Sequence, residues 1–343
     1  MRTGGAERVV VSLARGAGEA GHAVAVVSGR GELLGELEGE HYPLPVLERR
    51  PWRVGLAAWK LDHALRDWYP DLLHCHNPGT AAVTALATAR GRRSTALVSV
   101  HGVPEADWAA TARILKLARL PVVACGPGVR DALSEHGVEA LATVANGVSP
   151  PPPPVRREDL ERELGLAAGG RLLVSVGRLV EAKNHALAIR SLRSIPDATL
   201  VVAGEGPLRG RLELTAAEEG VADRIVLAGL RSDARELMGA ADVVIASSRS
   251  EGLSMAILEA LAAGRPLVAT AVRGVREILA HGRDALLVPE DDPGALAAAV
   301  CGLLEDPAFA AELGARGREL AQRFTERAMV SDYLGLYGQL AAR

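Results

Sequence analysis

The segment Ser247-Ser248-Arg249-Ser250-Glu251-Gly252-Leu253-Ser254-Met255 leads out of an apolar run, Val243–Ala246, into an Ala- and Leu-rich stretch. The spacing predicts a helix over Ser254–Ala263. Gly252 permits close backbone approach. The free N–H groups of Leu253, Ser254 and Met255 then form an anion site that suits a diphosphate. Glu251 and Glu259 stand eight residues apart, a separation of about 12 Å along a helical path. That is roughly the reach from the hexose to the ribose of a nucleotide sugar, so one carboxylate would accept hydrogen bonds from sugar hydroxyls and the other from ribose hydroxyls. Taken singly, Glu251 reads first as an ordinary N-cap neighbour and Glu259 as a solvated helix residue; their arrangement in apolar surroundings weakens those readings in favour of a site.

A second segment, Val174-Ser175-Val176-Gly177-Arg178-Leu179-Val180-Glu181-Ala182-Lys183, ends a strand with a glycine and places two cations before a helix. Arg178 and Lys183 would neutralise a diphosphate at the strand's carboxyl end, with Glu181 as a competing partner for either. Gly4-Gly5 before a helix offers bare backbone N–H groups, a weak signal. His101 ends a predicted strand, where it would bind a sugar hydroxyl or help position an acceptor. His74 and His76 flank Cys75 at strand spacing, but no third ligand is evident, which argues against a metal there. Asp-x-Asp is absent. Asp292-Pro293 reads as a helix cap. The expectation is therefore metal-independent chemistry, with a leaving group stabilised by Arg178, Lys183 and a helix terminus, and no cofactor.

These residues need a scaffold that brings strand ends together. At 343 residues, 48% hydrophobic and only 3% aromatic, the chain suits two cores of helices packed on parallel strands. In the first half, Ala23–Ser28, Leu72–His74, Ala96–His101, Val122–Cys125 and Leu141–Ala145 read as buried strands. Ala6–Ala17, Val54–Trp68, Thr80–Ala89, Asp107–Ala118 and Pro127–Glu135 read as helices. Pro150 through Pro154 then favour a stiff extended spacer. In the second half the strands are Leu172–Val176, Thr199–Ala203, Ile225–Leu227, Val243–Ala246, Leu267–Thr270 and Ala285–Val288. Asn184–Arg193 and Ser254–Ala263 are helices, and all beyond Val288 is helical. The fold class is α/β: two doubly wound Rossmann-like domains facing a cleft, with ligands at the carboxyl ends of the strands. The expected boundaries are 1–148, a Pro-rich linker 149–158, 159–324, and a C-terminal helix 325–343 packing back on the first domain.

The net charge of −3 divides as +1 over residues 1–150 and −4 over 151–343, so no broad basic field suggests nucleic acid. Cys75, Cys125 and Cys301 are isolated, which fits a reducing compartment. The opening residues MRTGGAERVVVSLARG hold no uninterrupted apolar stretch of the leader type, and no run approaches the roughly 20 apolar residues of a membrane span. The expected location is cytoplasmic. Arg113, Lys116 and Arg119 among Ile114, Leu115 and Leu117, with Arg49-Arg50-Pro51-Trp52-Arg53, admit peripheral contact with an anionic membrane at its inner face; a core role for the leucines is the competing reading.

Taken in order, these motifs resemble glycosyltransferase family 4, retaining enzymes of the GT-B fold. Gly5 matches its glycine loop, His101 its N-domain histidine, and Asn146-Gly147-Val148 its NGV. Gly177-Arg178 with Lys183 matches its GR…K pair, Gly204-Glu205-Gly206-Pro207 its GxGP turn, and Glu251 through Glu259 its E-x7-E motif. The resemblance runs nearly the whole length. It implies Glu251 at the transferred sugar, Glu259 on the ribose, and Arg178 and Lys183 on the diphosphate, with His101, as the N-domain histidine, counted with Glu251 among the catalytic residues. The turn Gly252-Leu253-Ser254 and Gly5 would complete the donor site, and Leu230, after Gly229, would line the base pocket. The substrates implied are a nucleotide-diphosphate sugar and an acceptor that the sequence does not identify, be it glycan, lipid-linked or small molecule. One departure stands out: the family's strand before the glycine loop is missing, which points to a start upstream of Met1 or else to a defective first domain. No G-x-G-x-x-G follows a predicted strand, which argues against a dinucleotide-dependent enzyme. A sugar-nucleotide epimerase of the same fold and a donor-binding pseudoenzyme are the alternatives.

Overall fold

In the computed structural model, residues 4–37, 39–44, 51–89 and 94–342 are described. They divide into two compact units, one of residues up to Gly147 together with those from Glu326 on, the other Val148–Thr325.

The first unit opens with α1 (Gly5–Glu19), β1 (Ala25–Ser28), β2 (Glu40–Pro43), α2 (Pro51–Trp68), β3 (Leu72–Cys75) and α3 (Pro78–Thr88). It continues through β4 (Thr95–Val100), α4 (Trp108–Ala118), β5 (Val122–Ala124), α5 (Pro127–Glu135) and β6 (Ala142–Thr143). Its strands pair in parallel, β3-β4-β5-β6 as one sheet and β1-β2 as another. No strand among the described residues joins β1 to β3, so the single sheet that the sequence pattern suggests is divided. Parallel strands must be covered on both faces, and the core of β4 and β5 shows it: Leu97, Val98, Val100, Val123 and Ala124 are buried. α2 turns Ala57, Ala58, Leu61 and Leu65 onto Val83 and Ala87 of α3, leaving its opposite face outward. Gly16-Ala17-Gly18-Glu19-Ala20-Gly21 has the spacing of a dinucleotide fingerprint, but it closes α1 instead of following a strand.

The second unit runs α6 (Arg157–Leu164), β7 (Arg171–Val176), α7 (His185–Leu192), β8 (Ala198–Ala203), α8 (Arg209–Glu218), β9 (Ile225–Gly229), α9 (Ala234–Ala240) and β10 (Val243–Ala246). Then come α10 (Met255–Ala263), β11 (Leu267–Thr270), α11 (Arg273–Arg276), β12 (Leu286–Val288), α12 (Pro293–Glu305) and α13 (Pro307–Ala321). All six strands are parallel, in the order β12-β11-β10-β7-β8-β9. The order reverses between β7 and β10. In such a sheet that switch point opens a crevice at the carboxyl ends of the two strands, and the loops leaving β7 and β10 are the two segments singled out above. Leu173, Val243, Val268 and Val288 form the core with Leu187, Ile189 and Leu192 of α7 and Leu296, Val300 and Leu303 of α12. Each such side chain contributes roughly 1.5–3 kcal/mol on burial, which makes the crevice floor rigid.

The proline run belongs to this unit and is held by it. Val148 pairs with Thr325, and Arg235 donates to the carbonyls of Ser149, at 2.8 Å, and Pro150. α6 starts at Arg157, so the last two residues of the expected spacer are helical. The chain ends in α14 (Glu326–Ala341), part of the first unit, where Met329, Tyr333, Leu336 and Leu340 are buried.

Candidate active site

Glycine sets the first loop. A Cβ on Gly204 would lie 1.9 Å from the carbonyl oxygen of Gly177, and one on Gly206 2.3 Å from that of Leu179. The Gly204-Glu205-Gly206-Pro207 turn can therefore lie against the loop after β7 only because both glycines lack a side chain. His185 clasps the same loop from behind, its Nε2 3.2 Å from Gly177 O and its Nδ1 3.0 Å from Ser175 Oγ. Burial pushes its pKa down to about 4, so it is a neutral support.

On this backing Arg178 is exposed, with no side-chain partner among the described residues. Lys183 behaves differently. Its Nζ lies 2.5 Å from Glu251 Oε1, which also accepts from Ser248 Oγ at 2.6 Å. The Glu251 side chain is only 9% exposed. A carboxylate held out of water needs such partners, and here the cation expected on the diphosphate also holds the glutamate expected at the sugar. Glu181, the foreseen competitor for that cation, pairs with Arg249 instead, at 3.3 Å. Backbone and side-chain bonds fasten the two loops. Arg249 N–H donates to Ala182 O at 2.9 Å, Ser247 Oγ donates to Asn184 O at 3.0 Å, and Asp291 accepts from Asn184 Nδ2 and an Arg249 terminal nitrogen, at 2.9 and 2.8 Å.

Ser254 caps α10, nine residues long, and Leu253 and Ser254 are buried behind Gly252. The expected helix start holds to within one residue, but the path from Glu251 to Glu259 is helical only from Met255 on, so the helical separation does not apply. Glu259 is no solvated residue: its side chain is 13% exposed and its Oε1 lies 3.9 Å from Arg235 Nε. Leu230 is exposed just beyond β9. A Cβ on Gly274 of α11 would meet Glu251 O at 2.3 Å and Gly252 O at 2.4 Å, so that helix is pressed against the backbone of the Glu251 turn.

Gly5 and His101 belong to the first unit. Gly5 is the first residue of α1, which leaves Gly4 as its cap; Arg2 and Thr3 lie outside the described residues. His101 is in a chain of side chains. Its Nδ1 is 3.2 Å from Asn146 Oδ1 and its Nε2 3.2 Å from His76 Nδ1. His76 packs on His74 with ring centroids 4.0 Å apart. His74 is held by Tyr337 OH at 2.6 Å and Ser99 Oγ at 2.7 Å, and Ser99 in turn by Tyr333 OH at 2.7 Å. Desolvation lowers all three imidazoles, His101 to about 4, His74 to about 3 and His76 well below its ordinary value. A third imidazole thus does stand beside His74 and His76, contrary to the reading of the sequence. It stands at hydrogen-bond distance, leaving no space for an ion between the facing nitrogens, and no group of described residues is arranged to hold a metal.

The profile of the glycosyl transferases group 1 matches residues 156–320, and that of Glycosyltransferase Family 4 residues 3–150. The chain belongs to these glycosyltransferases. The lipopolysaccharide core biosynthesis glycosyltransferase LpsD of Rhizobium meliloti is 33% identical over 216 residues, 63% of this chain and 61% of that protein. EpsD of Bacillus subtilis is 29% identical over 327 residues, 87% and 84% of the two chains. The chain thus spans about three fifths of the first relative and most of the second. The structure of Anabaena HepE in complex with UDP-glucose superposes with a TM-score of 0.87 at 22% identity, over 99% of this chain and 97% of that one. WaaG, a glycosyltransferase involved in lipopolysaccharide biosynthesis, superposes with 0.78 at 18%, over 98% and 97%. The fold is that of GT-B glycosyltransferases.

In this glycosyltransferase sequence reasoning missed Asn184 and Asp291, which lie 107 residues apart and leave no local pattern, and Ser248, whose bond to Glu251 spans only three residues. It did single out His76, by its spacing to His74, but weighed it only as a metal ligand, argued against a metal there, and did not connect it with His101.

Proposed function

We propose that the chain is a retaining, metal-independent glycosyltransferase that moves a hexose-type sugar from a nucleotide-diphosphate sugar to an acceptor hydroxyl. The observation that carries this reading is the pair of loops at the switch point of the second unit, which gathers the free Arg178, the Lys183–Glu251 pair and the start of α10. Arg178, Lys183 and the N–H groups of Leu253 and Ser254 bind the diphosphate and stabilise it as it leaves. Glu251 holds the transferred sugar, Glu259 the ribose, and Leu230 packs on the base. The UDP-glucose complex of HepE supports a uridine donor. Retention rests on the family resemblance: the acceptor attacks from the side the phosphate leaves, its proton passes to the departing phosphate oxygen, one C–O bond breaks and another forms. Metal independence is supported by the two cations and the absence of Asp-x-Asp. The test is UDP release from UDP-glucose with and without EDTA. Undiminished turnover is expected, and loss restored by Mg²⁺ or Mn²⁺ overturns it. A chain that binds UDP and never releases it from UDP-glucose would be the donor-binding pseudoenzyme.

We further infer a cytoplasmic enzyme docked peripherally on anionic lipid. On α2, Trp52 and Trp59 are 60% and 57% exposed with Leu56 between them, and Arg53 lies over the Trp52 ring. On α4, Leu117 is 82% exposed between Lys116 and Arg119. Leu115 is buried and drops out of the patch expected from sequence; Arg49 and Arg50 lie outside the described residues. Basic residues beside exposed aromatic ones favour an anionic interface. Among the described residues no single helix is long and apolar enough to cross a membrane. The pair α12–α13, apolar enough in sum, bends by 105° and packs into the second unit's core. Co-sedimentation with anionic vesicles that is absent for neutral vesicles and is reduced in a Trp52→Ser/Trp59→Ser variant is expected. Equal negligible binding to both vesicles ends the idea.

A further inference from the structure

The hydrogen bonds of the histidine chain run in one direction. An amide oxygen can only accept, so Asn146 Oδ1 fixes the proton of His101 on Nδ1. His101 Nε2 is then a lone pair, which faces His76 Nδ1 at 3.2 Å. His76 must carry its proton on Nδ1, and its Nε2 is left as a lone pair. That nitrogen has no protein partner among the described residues, and it is not among the buried unpaired atoms. His76 keeps part of its surface in contact with solvent. His101 and His74, by contrast, have both ring nitrogens engaged. The one acceptor nitrogen the cluster offers outward is therefore on His76, two residues along from the histidine that Tyr337 and Ser99 hold in place.

We propose that His76 Nε2 binds and orients the hydroxyl of the sugar acceptor, with Asn146 and His101 as the positioning residues that set its tautomer. The inference rests on the reading of the chain as a glycosyltransferase and gives it an acceptor contact in the first unit. The neutral imidazole is kept from charging by its desolvated surroundings, so it accepts the hydroxyl's hydrogen bond without removing the proton. The hydroxyl keeps its proton in this contact, and His76 is left unchanged by it.

Two substitutions separate this role from a structural one. In His76→Asn the side-chain amide takes the place of Nδ1: it can still donate to His101, but nothing reaches the position of Nε2. In His76→Gln the longer side chain can carry an amide group to the position of Nε2 and gives up the bond to His101. UDP release from UDP-glucose is measured with D-glucose as the probe acceptor, and UDP affinity by calorimetry. Expected are a fall in kcat of tenfold or more for His76→Asn, partial retention for His76→Gln, and UDP affinity within twofold of the wild type for both. Wild-type kcat in His76→Asn overturns the proposal, as does an equal loss of UDP affinity. A ring-nitrogen NMR spectrum of the wild type decides it independently of turnover: His76 protonated on Nδ1 between pH 6 and 8 is required, and protonation on Nε2 refutes it. Failure of the wild type to bind UDP or GDP would count against the donor reading alone.

Discussion

Arg178 and Lys183 are both cations of the loop after β7, yet they stand in different electrostatic situations. Arg178 is exposed and meets no protein anion among the described residues, so its charge is already available to a ligand. Lys183 is 22% exposed and bound to a carboxylate that is 9% exposed. Removing Arg178 takes away the contacts proposed for a diphosphate and nothing from the resting fold. Removing Lys183 also leaves Glu251 with Ser248 as its remaining side-chain partner among those above, and an uncompensated carboxylate out of water is costly. Arg178→Ala is therefore expected to weaken UDP binding by at least tenfold with an unchanged Tm, a charged hydrogen bond being worth about 1.5–3 kcal/mol. Lys183→Ala is expected to weaken binding similarly and to lower the Tm. The double variant should lose less than the product of the two, because both cations are proposed to act on one diphosphate. Calorimetric titration and thermal melts check each outcome; an Arg178→Ala protein that melts as early as Lys183→Ala would contradict the distinction.

At the scale of elements, α11 is a four-residue helix whose place is set by contact with a turn. Gly274 has room for no Cβ because the carbonyls of Glu251 and Gly252 occupy that space. Both are backbone atoms, so Gly274→Ala must push the Glu251 turn or α11 itself aside. Its expected effect is a loss of UDP affinity comparable to Lys183→Ala, although Gly274 brings no functional group; an alanine variant that binds UDP normally would show that the turn has slack. Such pressure between elements is what the sequence conceals. Val243–Ala246 and Leu267–Thr270 have the limits their apolar runs suggest, and β7 gains one residue, because strands buried on both faces read as short aliphatic blocks ended by glycine or polar residues. β2, Glu40–Pro43, is half exposed and mostly polar, so it carries no such block and went unseen. The start of α10 was legible from Gly252 and Ser254. The Lys183–Glu251 pair was not, since 68 residues separate its members and only the strand order brings β7 beside β10. The histidines show the same divide, as the His74–His76 spacing is local and the approach of His101 and Tyr337 is not.

For the molecule as a whole, the consequence is that the first unit is discontinuous in sequence. It ends at Gly147 and resumes at Glu326, so α14 completes a core begun by α1. The fit is close: a Cβ on Gly16 would overlap the Val330 side chain. Met329, Tyr333, Leu336 and Leu340 are buried there, Tyr333 to 1%, and Tyr333 and Tyr337 supply the hydroxyls that hold Ser99 and His74. Four such side chains at roughly 1.5–3 kcal/mol each amount to about the whole stability of an ordinary domain. A chain ending at Thr325 is therefore expected to lose the first unit and keep the second, which retains its six strands, both donor loops and the Val148–Thr325 bridge. The tryptophans offer a direct reading, because all four, Trp52, Trp59, Trp68 and Trp108, lie in the first unit. Trp108 is buried in the complete protein. In the shortened chain its emission should shift to the red and the calorimetric endotherm should shrink to a single smaller transition, while UDP still raises the temperature of that transition. Native-like tryptophan emission after truncation would show that α14 is dispensable to the first core, and a UDP response lost together with that emission would show that the donor loops depend on it.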